Sequence, residues 1–268
     1  MKILNNLVLI KAELLRLFGD LKSYKLNFVT ANLNYLLLFI GLFYGTGMYE
    51  NNEQNSIYFV LGLIIWSYAV SAIQSVAVII QQEAQTGVIE QAVMTKSKYT
   101  SILLSRLVAS FIFDTIQLAI IFTIFSLLFS LFATFISCIN FINVLIITIV
   151  IVTGLIGIGF IVAGFSIIYK KTQAVARATT NFLLFFSGII IPFETLPPVI
   201  RVVSSIFPIH IGMKIIKASV YNVSTLELLL NIDFYFLIIL CISWFLFGMF
   251  FFNHLFNNAL TKGNLAHY

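Results

Sequence analysis

The chain has 268 residues and a formal net charge of +5; 60% of its residues are hydrophobic and only 9% are charged. A soluble globular domain carries roughly 25% charged residues, so this composition excludes a soluble protein with a large core. It is typical of an integral membrane protein, and the positive charge then needs a separate explanation.

The first segment, residues 1–25, predicts an amphipathic helix lying in the membrane interface. One helical face carries the apolar residues Leu4, Leu7, Val8, Leu14, Leu15 and Phe18, and the other side carries Glu13, Arg16 and Asp20. Lys11 falls on the apolar face and would have to reach the headgroups with its long side chain. The alternative is a polar lead-in to the first span, which the periodicity disfavours.

Six apolar runs follow, each near the length of about 20 residues that crosses a bilayer. They are residues 27–48, 57–81, 104–132, 141–168, 178–191 and 228–252. The runs are continuous and do not alternate with polar residues, which favours helices over barrel strands. We therefore predict an all-α membrane protein with six transmembrane helices, in which residues 1–268 form one domain. The glycines of the fourth run predict close packing against another helix of the chain; they are Gly154, Gly157, Gly159 and Gly164.

Polar residues within the runs are candidates for a translocation path. They are Asn34, Ser67, Ser71, Gln74, Asp114 and Asn181. The alternative is that they form hydrogen bonds between helices. For Asp114, near the middle of the third run, a structural partner on a neighbouring helix is the favoured interpretation, because an unpaired carboxylate there is costly.

The basic residues indicate the orientation. Twelve of them fall on one side of the membrane if both termini are cytoplasmic: Lys2, Lys11, Arg16, Lys22, Lys25, Lys96, Lys98, Arg106, Lys170, Lys171, Arg177 and Lys262. Cytoplasmic loops carry an excess of such residues. The positive charge is thus explained by topology, and no nucleic-acid partner is expected.

All four prolines lie in the outer stretch before the last run, residues 192–226. Because proline starts or breaks helices, we expect the fifth span to end at Pro192, with two short helices re-entering the membrane after it. The predicted outer cap consists of Pro192, Glu194, Pro197, Pro198, Arg201 and Pro208.

The chain contains no phosphate-binding loop of the GxxxxGK[ST] type and no cluster of catalytic or metal-ligating residues. We therefore predict that the chain is not an enzyme and holds no cofactor or metal of its own.

Two stretches resemble one known family. The stretch "EAQTGVIEQAVMTKSKYTSILLSR", residues 83–106, overlaps the loop 81–100 and is similar to the loop between spans two and three of ATP-binding cassette type-2 permeases. The matching residues are Glu83, Gly87, Glu90 and Gln91, whereas Val88 and Lys96 depart from the pattern. The outer stretch resembles the same family at Ser187, Gly188, Pro192, Leu196, Pro197, Phe207 and Pro208, and departs from it at His210 and Ile211.

The resemblance implies that loop 81–100 is a coupling helix and that residues 192–226 form outer re-entrant helices. It also implies two ATPase subunits, which bind ATP and Mg, and a second permease copy, identical or closely homologous. With the composition, it suggests a multi-pass protein of a bacterial plasma membrane that contacts lipid and exports a drug, an antimicrobial peptide or a lipid-like molecule. Export of a lipid-linked polysaccharide or teichoic-acid-like glycan is one alternative. A membrane scaffold or sensor without transport is the other.

Overall fold

A computed structural model of the chain describes residues 2–48, 53–94, 98–131, 133, 140–169, 172–219 and 225–261. These residues form helices and no strands, so the predicted all-α class is confirmed. Four basic residues used for the orientation lie outside the described residues: Lys96, Lys170, Lys171 and Lys262. Parts of the predicted loop 81–100 and of the stretch 192–226 lie outside them as well.

The helices in chain order are α1 (Lys2–Ser23), α2 (Lys25–Gly45), α3 (Glu53–Gln85), α4 (Val88–Val93), α5 (Tyr99–Leu128), α6 (Phe141–Tyr169), α7 (Gln173–Phe186), α8 (Pro198–Ser205), α9 (Pro208–Ser219), α10 (Thr225–Leu230) and α11 (Ile232–Thr261). Helices α2, α3, α5, α6 and α11 are long and apolar enough to cross a membrane. They correspond to predicted spans one to four and six. Within α3, residues Ser71–Ser75 form a π-helical turn.

The fifth predicted span differs from the structure. Helix α7 has 14 residues and ends at Phe186, so Pro192 does not terminate it. At 1.5 Å per residue it is about 21 Å long, less than the roughly 30 Å of a bilayer core. The helix ends early because Gly188 has a φ of +88°, in the left-handed region that favours glycine. The predicted helix over 178–191 is therefore wrong in its last five residues.

Two short helices follow, as the proline positions predicted. Pro198 is the first residue of α8 and Pro208 the first of α9, and the two helices meet at an angle of 87°. Helix α11 stabilises this bend, because Trp244 Nε1 donates a hydrogen bond of 2.8 Å to the Ile206 carbonyl. The Trp244 ring also stacks on Phe207, with ring centroids 5.7 Å apart.

Helix α6 lies at the centre of the bundle and packs through its glycines. A Cβ atom added at Gly157 would overlap the Trp244 carbonyl of α11, and one added at Gly248 would overlap the Gly157 carbonyl. Gly159 lies against the Ala72 carbonyl in the π-helical turn of α3. The glycines of the fourth run thus allow close helix contacts, as predicted.

Candidate functional site at the ends of α1, α3 and α5

A charged network joins three helices at one end of the bundle, here called the network end. Arg106 of α5 binds Glu83 of α3, with Nη1 2.5 Å from Oε1, and Glu13 of α1, with Nη2 3.1 Å from Oε1. Glu83 also accepts a hydrogen bond of 2.6 Å from the Tyr99 hydroxyl. Glu13 binds Arg16 at 2.8 Å through its second oxygen. We call these five residues the coupling network.

The inner members of this network are shielded from water. The side chains of Arg106, Glu83 and Glu13 are 12%, 13% and 14% exposed. Burial alone would raise the pKa of Glu13, but the adjacent Arg16 and Arg106 outweigh it and leave that pKa below its usual value. Such a pair stabilises a structure only while both partners are present, since a lone buried charge is costly.

The network also fixes how α1 lies on the bundle. Glu13 faces α5, whereas the apolar side chains of Val8 and Leu15 are 62% and 65% exposed. Glu13 thus lies on the same side of α1 as Arg16, as the periodicity predicts, and this side contacts α5 at Glu13. The ion pair with Arg106 holds the Glu13 side chain against α5, and the exposed apolar side chains of α1 can contact lipid.

The turn after α3 is built around glycine. Gly87 has a φ of +71° and begins the short helix α4. Glu90, in the first turn of α4, folds back so that its Oε2 lies 3.0 Å from where a Gly87 Cβ would be. A carboxylate there is favourable because a helix N-terminus carries partial positive charge.

Helix α4 has one face in the bundle and one face outside it. Ile89 is buried, whereas Gln91 is exposed, as are Val88 and Met94, the latter to 89%. The family-matched residues thus have different positions: Glu83 binds Arg106, Gly87 and Glu90 shape the turn, and Gln91 faces outward.

The predicted path residues do not form one cluster in a single chain, although Ser71 and Asp114 contact each other. Ser67 is buried and donates to the Leu63 carbonyl at 2.9 Å, within its own helix. Gln74 donates to the Thr180 hydroxyl of α7. Asn34 and Asn181 lie on exposed faces of α2 and α7. Hydrogen bonding within and between helices therefore accounts for Ser67 and Gln74.

Asp114 of α5 faces the π-helical turn of α3. The Ser71 hydroxyl donates a hydrogen bond to its carboxylate. The second carboxylate oxygen, Oδ2, is buried and has no hydrogen-bond partner among the described residues. Next to it, Tyr68 donates to the Thr115 hydroxyl at 3.0 Å. A partner on a neighbouring helix is predicted for Asp114, and Ser71 is such a partner. It leaves the oxygen Oδ2 without a hydrogen bond among the described residues.

The opposite end of the bundle, here called the cap end, carries α8 and α9. Arg201 Nη2 donates to the carbonyls of Glu194 at 2.7 Å and Leu196 at 3.1 Å, which ties the 3-10 turn Phe193–Thr195 to α8. The Phe193 ring stacks on His210, with centroids 3.6 Å apart. Pro192, Glu194 and His210 line a cavity of about 490 Å³ at this end, whereas Pro197 and Pro198 begin α8.

Sequence reasoning did not identify Glu13, Arg106 and Tyr99 as members of one network. The available signal was Arg106 itself, an arginine close to the start of an apolar run, because such a residue requires a partner.

A comparison with protein families identifies one match, described as ABC-2 type transporter, over residues 5–221. No curated protein matches the chain significantly.

Proposed function

Since the chain belongs to the ABC-2 type transporter family, the membrane component of ABC transporters, we propose that it is the permease half of an ATP-driven exporter. ATP hydrolysis would take place in separate partner subunits, which bind ATP and Mg. The complex would contain two of these ATPase subunits and two permease copies, in a bacterial plasma membrane with both permease termini in the cytoplasm.

The observation that carries this proposal is the coupling network beside α4. The exposed apolar residues Val88 and Met94, together with the polar Gln91, would give a partner subunit a docking surface at the network end. A displacement of α4 would displace the adjoining end of α3. The Glu83–Arg106 ion pair would then transmit this displacement to α5, and the Arg106–Glu13 pair would transmit it to α1. A two-state change of the bundle would then open it alternately to either side.

Faces of α2 and α7 support a second permease copy. Gly41 and Gly45 of α2 have no side chain or neighbouring helix within 4 Å of an added Cβ atom. Small residues on an exposed helix face allow another helix to approach closely. Asn34 lies on α2 and Asn181 on the exposed face of α7, so a path between two copies would bring these polar residues inside it.

At the cap end, α8 and α9 would re-enter the membrane as an outer cap of the path, with Glu194 and Arg201 at its rim. The angle of 87° supports this, because a bent helix pair reaches into a bilayer and returns. The cargo would be amphipathic or hydrophobic: a drug, an antimicrobial peptide or a lipid-like molecule. A lipid-linked glycan is the alternative cargo, and a scaffold or sensor without transport is the alternative of another class.

The test is a search of the neighbouring reading frames for an ATPase, followed by co-purification of that ATPase with the chain and measurement of ATP hydrolysis. Glu90→Ala should reduce assembly or cargo-stimulated hydrolysis, because it removes the carboxylate that shapes the α4 turn. The matched control is Glu53→Ala at the start of α3, which should leave both unchanged. If Glu90→Ala also leaves both unchanged, α4 does not have the coupling role. If no ATPase co-purifies with the wild-type chain, the scaffold or sensor alternative is favoured.

A further inference from the structure

An apolar groove runs between α3, α5 and α6 in the half of the bundle nearer the cap end. It has a volume of about 280 Å³ and is open to the surroundings of the chain. Its walls include Leu61 and Ile64 of α3, Leu118 and Phe122 of α5, and Val144 and Leu145 of α6. No charged residue lines it among the residues that the structure describes. Because these helices are membrane spans, the groove opens to lipid.

Asp114 lies beside a second cavity that shares part of its lining with this groove. Tyr68 and Phe111 line both the groove and a second, very small cavity, which Asp114 and Ser71 also line. This second cavity has a volume of about 10 Å³, enough for roughly one water molecule. A lipid-facing apolar groove and a small cavity beside a carboxylate therefore adjoin each other at Tyr68 and Phe111.

No basic side chain among the described residues pairs with this carboxylate. Oδ2 of Asp114 has no hydrogen-bond partner among the described residues, and neither cavity lining contains a Lys, Arg or His. The other titratable side chains around Asp114 are Tyr35 of α2 and Tyr68 of α3. An ionisable residue inside a membrane protein calls for a partner. The site has room and charge for a small cationic group.

We propose that this groove binds a single-chain amphiphile with a primary ammonium head, whose ammonium donates a hydrogen bond to Asp114 Oδ2. The hydrocarbon chain would lie between α5 and α6, against Leu118, Phe122 and Leu145. The rings of Tyr68 and Phe111, which contact each other with centroids 5.1 Å apart, both line the head position, where aromatic rings attract cations. This rests on the proposed export function and narrows its cargo to cationic amphiphiles.

The size of the cavity makes the proposal selective. A primary ammonium is close to water in size and fits beside Asp114, whereas a trimethylammonium head is far larger than the space of about 10 Å³. An alcohol of the same chain length fits but carries no charge. Amine, alcohol and trimethylammonium compounds therefore separate charge recognition from simple partition into lipid.

The experiment is photolabelling of the purified full chain in lipid nanodiscs. The probes are dodecylamine, dodecanol and dodecyltrimethylammonium that each carry a diazirine in the hydrocarbon chain. The amine should label peptides containing Leu118, Phe122 or Leu145 about tenfold more than the alcohol does, since hydrogen bonds to charged groups are the stronger class. The trimethylammonium probe should label no more than the alcohol. Equal labelling by amine and alcohol would overturn the proposal, because the groove would then hold only lipid chains.

Two pairs of variants test the position. Asp114→Asn should reduce amine labelling to the level of the alcohol, whereas Asp20→Asn, on exposed α1, should change nothing. Ala119→Trp fills the groove and should abolish labelling there, whereas Ile116→Trp, on another exposed face of α5, should not. Because both tryptophans lie on the lipid-exposed surface, this second pair stays informative even if Asp114→Asn fails to fold.

A disulfide between two copies of the Leu145→Cys variant would show that a second copy covers the groove, which would also overturn the proposal. None of these measurements needs ATP or an ATPase. If the labelling pattern holds and no ATPase assembles with the chain, the export function fails and the binding site stands. If the ATPase assembles and the labelling pattern is absent, the binding site fails alone.

Discussion

Replacing Arg106 by Met tests whether the coupling network holds α1 and α3 to α5. The change keeps a long side chain but removes three hydrogen bonds, two to Glu13 and one to Glu83. It leaves two carboxylates whose side chains are only 14% and 13% exposed. Breaking a buried pair by removing one partner costs about 3–5 kcal/mol, and we expect a loss of that size in the free energy of unfolding.

The measurement is reversible unfolding in mixed detergent micelles. Arg16→Met is the matched control: the Arg16 side chain is 47% exposed, and Glu13 keeps Arg106, so its loss should be below about 1 kcal/mol. Adding Glu13→Gln and Glu83→Gln to Arg106→Met should restore most of the stability, because no buried charge is then left unpaired. If Arg106→Met costs no more than Arg16→Met, the network does not hold the three helices together.

Three further changes have equally direct outcomes. Gly87→Ala should strain the left-handed turn by about 1–2 kcal/mol and weaken co-purification with the ATPase. The control Gly19→Ala, in open space on α1, should do neither. If the ATPase co-purifies equally with both variants, the turn does not have the proposed role. Gly157→Ala should lower the free energy of unfolding by about 1–3 kcal/mol or more, because its Cβ overlaps the facing carbonyl of α11. The control Gly41→Ala should have no such cost, since nothing lies within 4 Å of its Cβ position. A Gly157→Ala protein as stable as the wild type would contradict the close packing. The folded-state pKa of Glu13 is lowered, so its contribution to stability is present above the unfolded value of about 4.5 and is lost as the pH falls through the folded value. A pH series of unfolding measurements should show this loss in the wild type and a smaller one in Glu13→Gln, and identical acid dependence would refute it.

The long spans could be predicted from the sequence because hydropathy needs no knowledge of neighbours. A continuous apolar run of sufficient length forms a helix in lipid, where every backbone polar group must be satisfied internally. The end of α7 could not be found this way. The residues from Ser187 to Ile191 are nearly all apolar, so hydropathy continued the helix to Pro192. The helix instead ends where Gly188 adopts a positive φ, which composition does not reveal.

The coupling network shows a second limit, which concerns contacts distant in the sequence. Periodicity placed Glu13 on the polar side of α1 but could not show what this side contacts, because periodicity compares residues only within one helix. Its partner Arg106 is 93 positions away, and this separation carries no signal in a single sequence. Ser67 and Gln74 show the same limit, because the spacing of polar residues does not separate a path wall from a hydrogen bond to Leu63 or Thr180.

Helix α5 carries both Arg106 and Asp114, which connects the two proposals in one rigid element. The two residues are eight positions apart, about 12 Å along the helix axis. Glu83 and Ser71 both belong to α3, so each contact joins the same two helices at a different depth. A shift of α3 against α5 at the network end must therefore change the distance between Asp114 and the π-helical turn. That turn adds one residue to a helical turn, a local irregularity that often marks functional sites. If both proposals hold, coupling of ATP hydrolysis to the groove would require no intermediary beyond the contact between α3 and α5.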